Sequence, residues 1–424
     1  MIYTKSETTY PNGLKHIHYY VENMKTIGIS MTFRAGSGYE IEPDDFGVAH
    51  FLEHMAFNGS KEFENGSEVD KTFGALGIKQ NAFTSIDRTK YWIVAPNENF
   101  DKAFKAFFHR CFYPLLTEEQ TKKEIGIIQE ELVMRENEPT ISLYYATLRE
   151  LMGKSSYSHE IIGTRTSLDK MTSERLRNYH NNFYASKKAV LVTYGGIDYP
   201  TIVKIVAPLA EALKDTSEKG EDGNPKLESF YIKTKQKKEI KIYKDIDTVF
   251  TLKLSRLTPA STLKRFVLLE LAIGLLGYGQ GAYLDQKIIK ELGLATSIDL
   301  DLSFYKAHTF LEFISTSKVG DEPKIIEEFN KVWQVLPTLV TEKSVERIRN
   351  LLLLGYLSSL ESAYAFTAAK STDLELLNLF YATDEFTYEN LIKRLKAATL
   401  EEVKEVMAEF QNLNFYTGFA LPKK

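Results

Sequence analysis

Several features that mark other classes of protein are scarce or absent in this chain of 424 residues. It contains a single cysteine, Cys111, so an internal disulfide is impossible and a reducing compartment is the simpler expectation. No stretch reaches the run of about 18 apolar residues that a membrane-spanning helix requires. The first 16 residues lack the apolar core of a secretory signal peptide. We therefore expect a cytoplasmic protein without a membrane span, unless a targeting segment has been removed.

Positive charge is not in excess either, because 53 lysine and arginine residues stand against 57 aspartate and glutamate residues. Binding to the phosphates of nucleic acid requires concentrated positive charge, so we expect no nucleic-acid partner. The chain is 43% hydrophobic and 26% charged, which excludes a mostly disordered chain and a collagen-like repeat. Cys111 lies in the apolar segment 107–116 and is expected to be a buried small residue rather than a nucleophile.

The length predicts two to three domains at about 150 residues each. Segment 214–228 is polar and charged and holds two glycines and one proline, so we predict that it links a domain 1–213 to a domain 229–424.

Both halves of the sequence begin with a strand-like segment and continue into a helix. Residues 27–33 alternate in the pattern of a half-buried strand. Residues 249–255 also resemble a strand, and a helical run through Leu276 follows them. These patterns predict an α+β fold of two similar domains, each a mainly antiparallel sheet packed with helices, with a suspected internal duplication.

The most informative segment runs from Asp45 to Gly59 and contains His50, Glu53 and His54. Asp45 is a suitable N-cap and Gly59 a suitable residue after a helix, so we predict a helix of about three turns between them. The two histidines and Glu53 then share one face of the helix. Two imidazoles one turn apart can bind a single zinc ion, and a carboxylate between them is placed as the general base for hydrolysis.

This spacing is rare by chance. With 8 histidines and at most 57 glutamates, the composition gives fewer than about 0.02 expected occurrences of His-x-x-Glu-His. The alternative is a pair of partly exposed histidines that are ion-paired with Glu53. The surrounding helix is rich in phenylalanine, leucine and methionine, and three titratable groups are costly in such a setting unless something satisfies them. We therefore favour a zinc site.

A catalytic zinc ion requires a third protein ligand, and the helix expected after Thr117 and Gln120 offers one. On this helix Glu124 and Glu131 fall within about 20° of each other. Both lie among apolar residues, namely Ile125, Ile127, Ile128 and Leu132. A buried carboxylate needs a partner, so we predict Glu131 as the ligand and Glu124 as a second carboxylate beside the site. Glu130 points away and fits a solvated charged helix, which is also the alternative for Glu124.

The order of these residues resembles that of the inverzincin zinc metallopeptidases of the pitrilysin/insulinase class. The two glutamates, seven residues apart, follow the His-x-x-Glu-His segment by 70–77 residues. Segments 33–38, 80–85 and 164–184 also match, so the resemblance covers nearly all of the first half and is looser in the second. The chain length resembles that of the short members, such as mitochondrial processing peptidase and its bacterial relatives, which pair two such chains into a clamshell.

The resemblance implies one zinc ion held by His50, His54 and Glu131, with Glu53 as the base, which is the assignment that the motif also indicates. It implies a LuxS/metallohydrolase-like fold with an N-terminal zinc-binding peptidase domain and a C-terminal domain of the inactive type. In the family, the segment that matches Asn81, Ala82, Phe83 and Thr84 is an edge strand that pairs with the backbone of the peptide substrate.

One departure from the family pattern bears on the partner. Active members carry an arginine and, seven residues later, a tyrosine, which bind the substrate and help to stabilise the oxyanion. Here Ile289 and Thr296 occupy these positions. We therefore predict the catalytic half of a heterodimer that hydrolyses short or unfolded peptides, with a partner of similar length supplying arginine and tyrosine. The alternatives are a homodimer in which Lys287, Tyr278 or Tyr283 takes this role, a non-catalytic structural subunit of a processing complex, and a metal-dependent hydrolase of other substrates.

Overall fold

The computed structural model describes residues 3–213, 237–279, 281–368 and 373–423. The predicted linker 214–228 lies outside these described residues, and the domain boundary that it marks stays a prediction. In the described part, no helix is both long enough and apolar enough to cross a bilayer. Cys111 is buried as predicted, and burial raises the pKa of its thiol to about 12.

The strands are β1 (Thr4–Thr9), β2 (Lys15–Tyr20), β3 (Thr26–Phe33), β4 (Lys79–Thr84), β5 (Thr89–Pro96), β6 (Ala189–Gly195), β7 (Glu239–Lys244), β8 (Val249–Leu257), β9 (Ala295–Phe304), β10 (Thr309–Ser317) and β11 (Tyr416–Pro422). The helices are α1 (Val48–Met55), α2 (Gly66–Ala75), α3 (Phe100–Phe112), α4 (Glu118–Asn137), α5 (Pro139–Met152), α6 (Arg165–Asp169), α7 (Ser173–Phe183), α8 (Tyr199–Glu211), α9 (Leu263–Gly277), α10 (Glu322–Gln334), α11 (Leu336–Leu339), α12 (Glu342–Ser359), α13 (Ala363–Ala368), α14 (Asp373–Tyr381), α15 (Tyr388–Ala397) and α16 (Leu400–Gln411). A π-helical segment, Asp285–Glu291, precedes β9.

The strands of the first half form a six-stranded sheet in the order β1-β2-β6-β3-β5-β4. Its neighbouring strands are antiparallel except for β2 and β6, which are parallel. Helix α3 packs on β3 and β5, whereas α1 contacts the edge strand β4 and helix α7. This arrangement places the His-x-x-Glu-His helix beside the edge of the sheet.

Strand β3 is buried on both faces, which corrects the prediction of a half-buried strand over residues 27–33. Every residue from Ile27 to Phe33 is buried. Helix α13, from the second half of the sequence, covers one face and contacts β3, β5 and β6. A Cβ atom added at Gly28 would lie 2.3 Å from Cγ2 of Thr367, so only glycine allows this close approach. The local alternation could not reveal a covering helix that comes from so far along the chain.

The strands of the second half form a five-stranded sheet in the order β7-β11-β8-β10-β9. Among the described strand pairs of this sheet, only β7 and β11 are parallel. The predicted strand and helix of this half are β8 and α9. Helix α5, from the first half of the sequence, packs on β7, β8 and β11, and a Cβ atom at Gly418 would lie 2.5 Å from Oγ1 of Thr147. The predicted α+β class, with two mainly antiparallel sheets, is confirmed.

The described residues form two compact units, and each unit contains residues from three segments of the chain. The first unit comprises Met1–Leu132, His159–Leu227 and Leu357–Leu379, and the second comprises Val133–Ser158, Glu228–Tyr356 and Phe380–Lys424. Helix α5 therefore belongs to the unit formed mainly by the second half, and α13 to the unit formed mainly by the first. This exchange of segments was not foreseen from the sequence.

Candidate metal centre

The His-x-x-Glu-His segment lies on α1, which is shorter than the predicted helix. We expected a helix between Asp45 and Gly59, but α1 covers only Val48–Met55. Asp45 is not its N-cap, because it ends a 3₁₀ turn and its carboxylate accepts a hydrogen bond from Arg175. The chain enters α1 through Gly47, whose φ of 91° lies in the left-handed region that favours glycine.

His50, His54 and Glu131 converge on one point. One ligand atom from each residue lies within 4.8 Å of the other two, and no other such group of three is found in the described part of the chain. Nε2 of His50 is 3.8 Å from Oε1 of Glu131, and Nε2 of His54 is 3.4 Å from Oε2 of the same residue. Two imidazole nitrogens and one carboxylate form a donor set typical of catalytic zinc, which keeps a further position open. The three predicted ligands therefore lie together and fit this metal.

Glu124 orients the ring of His54. Nδ1 of His54 is 2.9 Å from Oε1 of Glu124, and Nδ2 of Asn58 donates a hydrogen bond of 2.5 Å to Oε2. When His54 donates from Nδ1, the lone pair on Nε2 points towards Glu131 and is available to a metal. The structure thus places Glu124 where the sequence predicted a second carboxylate, whereas the role of Asn58 was not recognised from the sequence.

The face of α4 that carries the two glutamates is only partly buried, so the expectation that both carboxylates are buried holds for Glu124 and not for Glu131. Ile128 and Leu132 are buried with Glu124, but the side chain of Glu131 is 34% exposed and Ile127 is 48% exposed. A ligand at a site with an open coordination position must lie between the core and solvent. The hydrophobic pattern of the helix could not locate that boundary.

The carboxylates around His54 create a negative potential. Burial lowers the pKa of His54, but hydrogen bonds to Glu124 and Glu131 and the charges of Glu124 and Glu53 outweigh burial and raise the pKa to about 9. Burial also acts to raise the pKa of Glu124, yet hydrogen bonds with His54 and Asn58 bring it below its ordinary value. Surroundings that favour a positive imidazole also favour a divalent cation.

Glu53 lies beside the three ligands and is held by the edge strand. Glu53 is only 9% exposed, and the hydroxyl of Thr84 donates a hydrogen bond of 2.6 Å to its Oε2. Burial, together with the charge of Glu131, raises the pKa of Glu53, although the bond from Thr84 and the proximity of His54 oppose this rise. Sequence reasoning placed Thr84 on a substrate strand and missed its bond to Glu53.

The predicted substrate-binding residues lie on β4, namely Asn81, Ala82, Phe83 and Thr84. Among the described strands, β4 forms one edge of the six-stranded sheet and pairs with β5 alone. An edge strand presents backbone groups to which a further strand can be added. Through Thr84, the same strand is fixed to the helix that carries Glu53.

Glu124 provides a direct test of the predicted metal centre. We expect Glu124→Gln to weaken zinc binding by about 10–100-fold, because the amide lacks the charge that orients His54. Zinc affinity is measured by competition with a chelator of known affinity. Glu130 is exposed on the same helix, so Glu130→Gln is the matched control and should bind zinc like the wild type. Equal affinities for the two variants would contradict the role of Glu124.

The two positions at which the sequence resemblance leads us to expect arginine and tyrosine belong to the second unit. Ile289 lies in the π-helical segment and Thr296 lies on β9. Among the groups considered as replacements, the ammonium of Lys287 is 2.7 Å from the carboxylate of Glu291, and the hydroxyl of Tyr283 donates to a backbone carbonyl. Both groups are therefore already engaged within the second unit.

Comparisons with known proteins point to one family. A model described as "Insulinase (Peptidase family M16)" matches residues 19–165, and one described as "Peptidase M16 inactive domain" matches residues 170–352. An uncharacterized zinc protease of Rickettsia bellii is 25% identical over 364 residues, which cover 86% of this chain and 84% of that protein. Mitochondrial-processing peptidase subunit beta of Neurospora crassa is 28% identical over 203 residues, covering 47% of this chain and 41% of that protein.

The fold is shared with solved structures. The crystal structure of a protease from Helicobacter pylori matches with a TM-score of 0.86 and 20% identity, and the match covers 100% of both chains. The two family models follow one another along the sequence and together account for most of it. This chain therefore belongs to the insulinase family of peptidases, family M16.

Proposed function

We propose that this chain is a zinc-dependent endopeptidase subunit that hydrolyses short or unfolded peptides. The observation that carries the proposal is the convergence of His50, His54 and Glu131 next to Glu53. The name zinc protease, borne by relatives that align over most of the chain, supports the same activity. The single cysteine supports a reducing compartment, so the cytoplasm remains the proposed location.

The chemistry follows from the side chains at the site. His50, His54 and Glu131 would hold one zinc ion. When bound, zinc supplies Lewis-acid chemistry that polarises the carbonyl under attack and acidifies water. The carboxylate of Glu53 accepts a proton from the attacking water and delivers it to the leaving amine nitrogen. Thr84 donates to Oε2 of Glu53 and so keeps this carboxylate in a fixed orientation.

Strand β4 is the proposed binding site for the peptide. Its backbone from Asn81 to Thr84 would pair with an extended substrate, which requires no particular sequence in the peptide. Unfolded and short peptides meet this requirement, because their backbone groups are not already paired. The bond between Thr84 and Glu53 supports this assignment, since a peptide paired with β4 would then lie next to the proposed base.

A second subunit is part of the proposal. With Ile289 and Thr296 in place of arginine and tyrosine, this chain lacks donors that the family uses at the oxyanion. A partner of similar length would supply them, and one relative is named as a subunit of a processing peptidase. The homodimer remains the alternative, but Lys287 and Tyr283 already have partners in their own unit. A purely structural subunit would not need the ligands and base that this chain retains.

Metal analysis and a peptide assay test the proposed activity. After metal-free purification and zinc repletion, we expect one zinc ion per chain and cleavage of a mixed peptide library by the complex with its partner. Removal of zinc by a chelator should abolish cleavage, and added zinc should restore it. A zinc content below about 0.1 per chain would contradict every catalytic function. A zinc-loaded complex that hydrolyses esters but no peptide would favour a hydrolase of another class.

A further inference from the structure

The first turn of α1 carries backbone donors that the helix itself cannot satisfy. The residue at its N-cap is Gly47, which has no side chain to accept them. Asp45, the nearest acidic residue along the sequence, accepts a hydrogen bond from Arg175 instead. The donors therefore need an acceptor from another part of the chain.

Glu40 supplies that acceptor. Its Oε2 accepts a hydrogen bond of 2.8 Å from the backbone N–H of Gly47, and its Oε1 accepts one of 2.9 Å from the N–H of Ala49. Its side chain is 0% exposed. A negative charge at this end of a helix is also favoured by the helix dipole. One buried carboxylate thus replaces the N-cap that the local sequence lacks.

His159 holds Glu40 in this position. Nε2 of His159 is 2.8 Å from Oε2 of Glu40, and its side chain is only 7% exposed. The imidazole also stacks on Phe46, with ring centroids 3.9 Å apart and planes 2° from parallel. Phe46 directly precedes Gly47, so His159 contacts both the capping carboxylate and the residue before the cap.

The backbone at the start of α1 is enclosed on another side. A Cβ atom added at Gly47 would lie 2.4 Å from the carbonyl oxygen of Ile162, and one added at Gly163 would lie 2.4 Å from the carbonyl oxygen of Phe46. The two glycines have φ angles of 91° and 89°. Two backbone segments therefore pack directly against each other, and the entry to α1 has little freedom to shift.

This arrangement matters for the metal because α1 is only eight residues long. Ala49, whose N–H is bonded to Glu40, is the residue immediately before His50. His50, Glu53 and His54 all project from the two turns that follow. A rotation of the helix at its first turn would displace all three side chains together, and a zinc site tolerates little displacement of its ligands.

We propose that Glu40 is a positioning residue for the metal centre, fixing the first turn of α1 and thereby the placement of the two histidines and Glu53. The inference rests on the proposed function only in taking α1 as the zinc-binding helix. The hydrogen bonds described for Glu40 go to Gly47, Ala49 and His159, none of which is a predicted metal ligand, so its effect passes through the helix. A residue that only stabilised the unit would change its melting temperature without changing the affinity of the folded protein for zinc.

The test compares Glu40→Gln with Glu42→Gln in the full chain. Glutamine keeps the size of Glu40 but loses the charge and one of its two acceptor oxygens, whereas Glu42 is exposed and serves as the matched control. Zinc affinity is measured by chelator competition, and hydrogen–deuterium exchange is followed in peptides covering α1 and, for comparison, β3. For Glu40→Gln we expect zinc affinity to fall about tenfold or more and exchange in α1 to accelerate, with β3 unchanged.

A second variant guards against a loss of folding. His159→Phe keeps the stacking on Phe46 and removes the bond to Glu40, so it should shift zinc affinity and α1 exchange in the same direction but less far. Zinc affinity within twofold of the wild type for Glu40→Gln, with unchanged exchange in α1, would overturn the proposal. Failure of both variants to fold would also overturn it, because Glu40 would then serve the whole unit. Neither readout depends on peptidase activity, so an inactive wild type would refute the proposed function and leave this inference standing.

Discussion

Replacing Glu53 by glutamine is expected to reduce peptide hydrolysis by about 10²–10⁴-fold while leaving zinc in place. Glutamine has nearly the same shape but cannot accept the proton of the attacking water. The three residues that gather around the metal position, His50, His54 and Glu131, are untouched. The measurement is kcat/KM on a quenched fluorescent peptide, together with the zinc content of each preparation.

The matched control for this variant is Glu130→Gln, which makes the same chemical change at an exposed position on α4. Its activity should equal that of the wild type. Turnover by Glu53→Gln at the wild-type level would show that Glu53 is not the base. Loss of zinc in the same variant would instead make Glu53 a ligand, which the bond between its Oε2 and Thr84 argues against.

Addition of a partner subunit is expected to raise the activity of the zinc-loaded chain by about a hundredfold or more. The physical reason is that loss of one preorganised donor at the oxyanion typically costs about 10²–10³ in rate. Ile289 has no polar side-chain group, and Thr296 offers neither a guanidinium nor a phenol; its hydroxyl donates to the backbone carbonyl of Thr316. The assay uses a mixed peptide library with this chain alone, with the partner alone and with both.

The outcomes of this assay separate the two assemblies. Activity of the isolated chain within tenfold of the mixture would contradict the heterodimer. The increase should disappear when the arginine or tyrosine of the partner is replaced. Three variants test the homodimer alternative, namely Lys287→Ala, Tyr278→Phe and Tyr283→Phe. If the protein is a homodimer, one of them should lower the activity of the isolated chain. If it is a heterodimer, none of them should change the activity of the mixture.

The local part of the metal centre could be predicted from the sequence. His50, Glu53 and His54 lie one helical turn apart, so a single short helix is enough to bring them together. Glu124 and Glu131 lie two turns apart on a second helix. In the structure Glu124 lies beside His54, and Glu131 lies beside both histidines. The alternating and helical patterns also identified the α+β class, because they depend on neighbouring residues alone.

What the sequence did not reveal depends on contacts between distant segments. Asp45 satisfies the local rules for an N-cap, yet a bond to Arg175 occupies it and Glu40 takes its place. Cap preferences are worth only about 1 kcal/mol, so such tertiary contacts override them. The hydrogen bond from Thr84 to Glu53 also joins distant segments of the chain, and so does the packing that buries both faces of β3. A local sequence pattern does not reveal which distant residue will make the contact.

The segment exchange affects the order in which this protein can fold during synthesis. Every predicted residue of the candidate metal site is translated by position 131, but α13, which covers one face of β3, begins only at Ala363. After Leu213 the ribosome must add about 166 residues to reach Leu379, which takes on the order of 10–30 s. During that time the face of β3 that carries Gly28, Ser30 and Thr32 lacks the helix that covers it in the folded chain. The proposed zinc ligands are thus made early, while the sheet beside their helix is completed late.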